Sequence, residues 1–238
     1  MFDRIDAWFA RLEDVMAFQA IRQGLILTIP VLLVGSFCLV FLNVPIEPYR
    51  EFLDATPWLR GMFNTAYAAT MGIFSLYVSV AVSLRYADSY ADKHGSFFTQ
   101  GAPFAALAAY LMFVGFGGEG FDQTVLSTRS LFIAIVCGLL SSMLYCRLVR
   151  FGKKKRLRGD SIDGVFNQAV AGLVPIATVI AVFAVAATAL TRCFGAASVE
   201  ELFFLGISAL FPLAEPTCAS GLLYLLMNNV MWFFGIHG

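Results

Sequence analysis

At 238 residues the chain is 59% hydrophobic and only 13% charged, with a mean hydropathy of +0.78, where a soluble domain carries roughly a quarter charged residues. Its 24 phenylalanines and eight methionines overload any single water-facing core, which excludes an ordinary soluble fold and fits a surface that is apolar outside as well as inside. Net charge is zero, so nothing points to a nucleic-acid partner.

The first twenty residues contain Asp3, Asp6, Glu13 and Asp14 and lack the apolar core of a secretory signal. Phe2, Ile5, Phe9, Leu12 and Met16 recur at helical spacing with polar residues between them. The pattern predicts an amphipathic helix on the membrane surface.

Six apolar stretches of spanning character come next: Leu25–Leu42, Ala66–Leu84, Gly101–Phe116, Leu131–Leu148, Ala169–Leu190 and Ser220–Phe234. The third and sixth are the shortest. A further apolar run, Leu202–Leu213, is too short to cross, with Pro212 at its end and Pro216 after it. It reads as an interfacial or re-entrant helix. The expected fold is therefore an all-α membrane protein of about six transmembrane helices, with one surface helix before them and one non-crossing helix before the last.

Charge sets the orientation. With the N-terminus inside, the inner segments hold Arg4, Arg11, Arg22, Arg85, Lys93, Arg147, Arg150, Lys153, Lys154, Lys155, Arg156 and Arg158, and the outer ones only Arg50, Arg60, Arg129 and Arg192. Twelve against four is a positive-inside bias that places both termini in the cytoplasm. The cluster from Lys153 to Arg158 reads as a topology anchor at that face, with anionic lipid or nucleotide binding as the alternative.

Polar residues inside the stretches are few and mostly small. Ser75, Ser79 and Ser83 recur every four residues along one face of the second stretch. Such a stripe lets helices approach closely, and the alternative is a polar pathway. Ser141 and Ser142 lie in the fourth stretch, and Asn228 and Asn229 in the sixth. Two adjacent amides there point about 100 degrees apart and must find partners, either other helices or a polar ligand. Glu119, in the Gly-Gly-Glu-Gly turn, is a solvated loop carboxylate or a ligand group. Asp160–Gln168 suits a short half-buried hairpin or partial helix before the fifth stretch. His237, after the aromatic run Trp232-Phe233-Phe234, is either an interfacial belt residue or a proton-exchanging group. The five cysteines stand singly in or beside apolar runs with no CxxC pair. They read as small packing residues, with no metal site, disulfide framework or cofactor indicated.

Four segments carry a family resemblance. AIRQGLILTIPVLLVGSF (20–37), STRSLFIAIVCGLLSSMLY (127–145), GVFNQAVAGLVPI (164–176) and WFFGIHG (232–238) resemble, in the same order, segments of the enzyme IIC membrane components of bacterial phosphotransferase sugar transporters. The similar branch is the lactose, cellobiose and chitobiose group. The resemblance covers 1–238 as one enzyme IIC-like membrane domain. It implies that the chain sits in the bacterial inner membrane and binds and translocates a sugar, a disaccharide in that branch, for phosphorylation by a cytoplasmic IIB-type subunit. It also implies a homodimer, with His237 of the GIHG motif against the sugar and helping to deprotonate its hydroxyl, and Asn228 as a lining residue. The chain itself has no phosphate-carrying nucleophile of the partner-subunit kind, so no catalytic residue is assigned.

One departure stands out. The family's later half carries an Asn-Glu-Pro motif whose glutamate also grips the sugar, and no such motif occurs here. Glu215-Pro216 follows Ala214 and precedes the sixth stretch. The expectation is therefore the N-terminal portion of a longer protein. The alternative is an enzyme IIC-like sensory module fused to a cytoplasmic signalling domain, such as a cyclic dinucleotide phosphodiesterase or cyclase.

Overall fold

A computed structural model describes residues 16–95, 99–118, 121–153 and 164–210 of the chain. All secondary structure among these residues is helical. The amphipathic segment predicted before Met16, the sixth stretch at 220–234, Glu119, Cys218 and most of the Lys153–Arg158 cluster lie outside them.

Helix α1 (Met16–Leu42) leads into two short helices, α2 (Glu47–Ala55) and α3 (Pro57–Thr70), each with proline in its first turn. After a 3₁₀ turn at Met71–Ile73 comes α4 (Phe74–His94), then α5 (Gly101–Phe113). Two further 3₁₀ turns, Gln123–Leu126 and Thr128–Ser130, open α6 (Leu131–Lys153). Helices α7 (Gly164–Phe194) and α8 (Val199–Leu210) complete the described chain. Among the described residues, four helical stretches are long and apolar enough to cross a membrane: Met16–Leu42, Pro57–His94, Thr128–Phe151 and Gly172–Phe194.

The sorting of side chains on α1 explains why this bundle suits lipid. Its buried face is built from Ala20, Gly24, Thr28, Gly35 and Cys38, whereas Ile26, Val34, Phe37 and Val40 are more than half exposed. Small residues inward and large ones outward is the pattern of close helix packing in a bilayer, where lipid accepts the bulky side chains. Helix α7 also turns bulky apolar side chains outward, with Leu173, Val174 and Val185 exposed, but its buried face includes the large Phe183 beside Val179 and Ala187.

Glycine contacts fix the pairing. Gly24 lies against Val82 and Gly35 against Thr70 and Met71, so α1 runs antiparallel to α4. Gly138 lies against Ser79, and farther along Arg150 meets Tyr90, so α4 and α6 run parallel. Between them α5 runs the opposite way, with Gly101 beside Tyr145 and Tyr110 beside Val125. The core is shared by α4, α5 and α6, with Phe113 of α5 meeting Phe183 of α7 at 5.2 Å between ring centroids.

The expected spans Leu25–Leu42, Leu131–Leu148 and Ala169–Leu190 fall within longer helices. Two expectations are corrected. The stretch Ala66–Leu84 is not one continuous helix, because the chain breaks at the 3₁₀ turn and α4 then continues to His94. The break is stabilised by hydroxyls that take up carbonyls: Tyr77 Oη donates to Ala69 O (3.0 Å), and Thr70 Oγ1 donates to Ala66 O (2.7 Å). A helix interruption at membrane depth requires such partners. The stretch Gly101–Phe116 is helical only to Phe113, because Gly115 and Gly117 adopt positive φ (73° and 80°) and turn the chain. Its 13 residues extend about 20 Å, short of the ~30 Å hydrocarbon core. Of the two readings of Asp160–Gln168, the helical one holds for Gly164–Gln168, which opens α7. The run expected from Leu202 is helical from Val199 to Leu210.

Candidate functional site

The serine stripe of α4 forms the middle of a polar seam. Ser75, Ser79 and Ser83 are fully buried, as are Ser141 and Ser142 of α6. Most of these hydroxyls terminate on backbone. Ser75 Oγ donates to the Ser127 carbonyl, Ser79 Oγ to Ala106 O at 3.4 Å, and Ser142 Oγ to Gly138 O at 2.7 Å. Ser141 Oγ donates to Cys137 O, one turn back on its own helix. Only Ser83 Oγ in this group lacks a hydrogen-bond partner among the described residues. A hydroxyl committed to a carbonyl satisfies itself and fills little volume, so among the described residues the seam works as close packing.

At the end of the bundle where α6 begins, the polar groups converge. Asp122 caps the first 3₁₀ turn, accepting from Thr124 N at 3.0 Å and from Thr124 Oγ1. These bonds hold its carboxyl below the usual carboxylate range. Ser127 opens the second turn, donating to Thr124 O at 2.6 Å while its own carbonyl accepts from Ser75. The fully buried Tyr110 donates to Val125 O at 3.3 Å, and the hydroxyls of Ser75 and Ser130 face its oxygen.

Here too lies a buried carboxylate, Glu200 of α8, whose side chain is 5% exposed. Arg129 Nε stands 3.0 Å from its Oε1 as an ion pair, off the line of a hydrogen bond. The same guanidinium lies over the Phe204 ring at 5.2 Å, and Phe132 stacks on Phe203 at 4.9 Å and 12°.

The opposite end of the bundle holds a second aromatic and basic group. Tyr86 stacks on Tyr90, and Tyr90 on His94, the latter at 4.2 Å between centroids. Arg150 of α6 donates to Tyr90 Oη at 3.4 Å. Cys38, Cys137 and Cys146 are buried, in keeping with their reading as packing residues, whereas Cys193 is exposed.

The sequence-predicted site residues Asn228 and His237 lie outside the described residues. The fold brings together the scaffold before them, with the STRSLF part of the second resembling segment as its hub. Sequence reasoning missed Arg129, Glu200 and Tyr110 as a group. Two signals were available: Arg129 is one of only four cations that the charge bias assigns to the outer segments, and Glu200 with Glu201 stands at the head of an apolar run.

Comparison with known proteins identifies this arrangement. The family description "Phosphotransferase system, EIIC" matches residues 22–238. The chain belongs to that family. Its resemblance to the cellobiose and chitobiose branch is borne out by individual relatives. The EIIC sequence is 26% identical to the cellobiose-specific EIIC component of Geobacillus stearothermophilus over 259 aligned positions, covering 99% of this chain and 54% of that protein. It is 26% identical to the lichenan permease IIC component of Bacillus subtilis over 181 positions, covering 69% and 39%. The crystal structure of the transporter ChbC, the IIC component of the N,N'-diacetylchitobiose-specific system, superposes with a TM-score of 0.74 at 20% identity, over 98% of this chain and 56% of that one. The all-helical membrane fold is thus an EIIC fold, and the chain spans about half the length of the relatives it matches.

Proposed function

We propose that this chain forms the first half of a phosphotransferase membrane component that binds a disaccharide and carries it across the bacterial inner membrane. A cytoplasmic IIB-type subunit would phosphorylate the sugar there. The observation carrying this reading is the family match from residue 22 to residue 238, supported by relatives named for cellobiose and N,N'-diacetylchitobiose. Both are transport components, which favours transport over a sensory role.

In this reading His237 stands against the sugar and draws the proton from the hydroxyl that becomes phosphorylated, and Asn228 donates or accepts from another hydroxyl. The two residues supply different chemistry: an imidazole takes up a proton, whereas an amide only orients. Both termini face the cytoplasm, as the twelve-to-four distribution of basic residues supports. That topology puts His237 on the side from which a phosphate donor arrives. The working unit is a homodimer in the bilayer.

The test uses the full-length protein in proteoliposomes with its phosphorylated partner subunit. Binding and phosphorylation are measured with cellobiose, N,N'-diacetylchitobiose, lactose and glucose. Saturable binding of one or more of the disaccharides, with phosphorylation on the partner's side, is the expected result. Binding of none of the disaccharides by correctly inserted protein would overturn the reading.

A further inference from the structure

We infer that Arg129 and Glu200 are a positioning pair that sets where α8 sits on the N-terminal end of α6, and that sugar handling through His237 depends on it. The only charged side chain buried among the described residues is Glu200. A carboxylate removed from water is costly unless a cation meets it, and Arg129 at 3.0 Å does so. That requirement is local, because one position of α8 against α6 brings the two together and a slip of one residue parts them.

The neighbouring contacts share this geometry but lack its selectivity. Arg129 and Phe132, three residues apart, meet Glu200, Phe203 and Phe204 on the first two turns of α8. Ring stacking tolerates sliding at small cost, whereas a buried carboxylate that must keep its cation does not. The first turn is also tied to its own approach: Glu201 Oε2 accepts from Ala197 N at 2.7 Å, and Glu201 N donates to Ser198 Oγ at 3.1 Å. The ion pair therefore fixes a helix start that is itself rigid.

The competing account makes the pair mere filler, in which case apolar side chains of similar volume would serve as well. The two accounts separate by a distance measurement on full-length protein in lipid. Spin labels are placed at Gly206 of α8, where a side chain meets open space, and at the exposed Leu140 of α6, after replacement of the native cysteines. Wild type gives one narrow distance. Glu200→Gln broadens it, Arg129→Glu combined with Glu200→Arg narrows it again, and Arg129→Met combined with Glu200→Leu leaves it broad in a folded protein. Arg129→Lys, which keeps the charge and preserves folding, gives intermediate broadening. A narrow distance in Glu200→Gln or in the apolar pair overturns the inference.

The link to His237 rests on the functional reading above. Sugar uptake should fall and recover in step with the distance across these variants, and uptake that stays at the wild-type level while the distance broadens overturns that link. A wild-type protein that binds no sugar fails the functional reading instead, and the distances still judge the pair.

Discussion

Gly138 of α6 faces the backbone of Ser79 on α4 so closely that a Cβ there would lie 2.6 Å from the Ser79 carbonyl oxygen and 3.3 Å from its Cα. Backbone cannot rotate out of the way as a side chain can. Gly138→Ala therefore forces α4 and α6 apart along the seam on which the bundle is centred. Overpacking of this kind costs about 1–3 kcal/mol. Thermal unfolding of the detergent-solubilised protein should show a lowered Tm for Gly138→Ala, and an unchanged Tm would contradict the close approach.

The seam also separates packing from pathway. Ser83 is fully buried and its hydroxyl has no hydrogen-bond partner among the described residues, whereas Ser75 serves the Ser127 carbonyl. Ser83→Ala removes a desolvated group that gains nothing, so stability stays level or rises. Ser75→Ala takes the donor from the half-buried Ser127 carbonyl and costs about 1 kcal/mol. Transport by Ser83→Ala should match wild type; a selective transport loss at normal stability would restore the pathway reading.

Hydropathy windows located α1, α6 and α7 because continuous apolar character is a property of composition. The same property concealed the interruption at Met71–Ile73. Thr70, Met71 and Gly72 are apolar or small enough to pass as span, and the hydroxyl of Tyr77 that supports the break is four residues beyond it. A missing helical bond leaves no mark on an average. The serine stripe was legible as a face, because spacing alone places Ser75, Ser79 and Ser83 together. The Arg129–Glu200 pair was not legible, since 70 positions of chain separate the two residues and only the return of α7 brings them close. Asn228 and His237 stood out through residue type and motif, which is information about chemistry rather than placement.

The interruption makes its own prediction. Tyr77 Oη donates to Ala69 O at 3.0 Å, and Ala69 lies in the last turn of α3, where carbonyls have no helical partner. Tyr77→Phe keeps the ring and deletes the donor. The expected loss is about 1 kcal/mol, the net worth of one such bond. Hydrogen exchange should quicken locally at α3 and the 3₁₀ turn, while α6 keeps its protection. Unaltered exchange at 66–73 would show that water or lipid headgroups already serve that carbonyl.

The sharpest functional prediction concerns His237 against Asn228. A proton acceptor works on the reacting hydroxyl in the transition state, and general-base help is worth about 10²–10⁴-fold in rate. A hydrogen-bonding amide holds the sugar equally before and during reaction, so its loss of about 1.4 kcal/mol appears as roughly tenfold weaker binding. In the full-length protein, His237→Ala should therefore lower the phosphorylation rate at saturating sugar while leaving the Kd nearly unchanged. Asn228→Ala should do the reverse, raising the Kd with little change in the saturated rate. Binding isotherms and single-turnover phosphorylation, each with the disaccharide that wild type prefers, give both quantities independently. Were His237→Ala to weaken binding alone, the histidine would be a lining residue and the base would lie elsewhere.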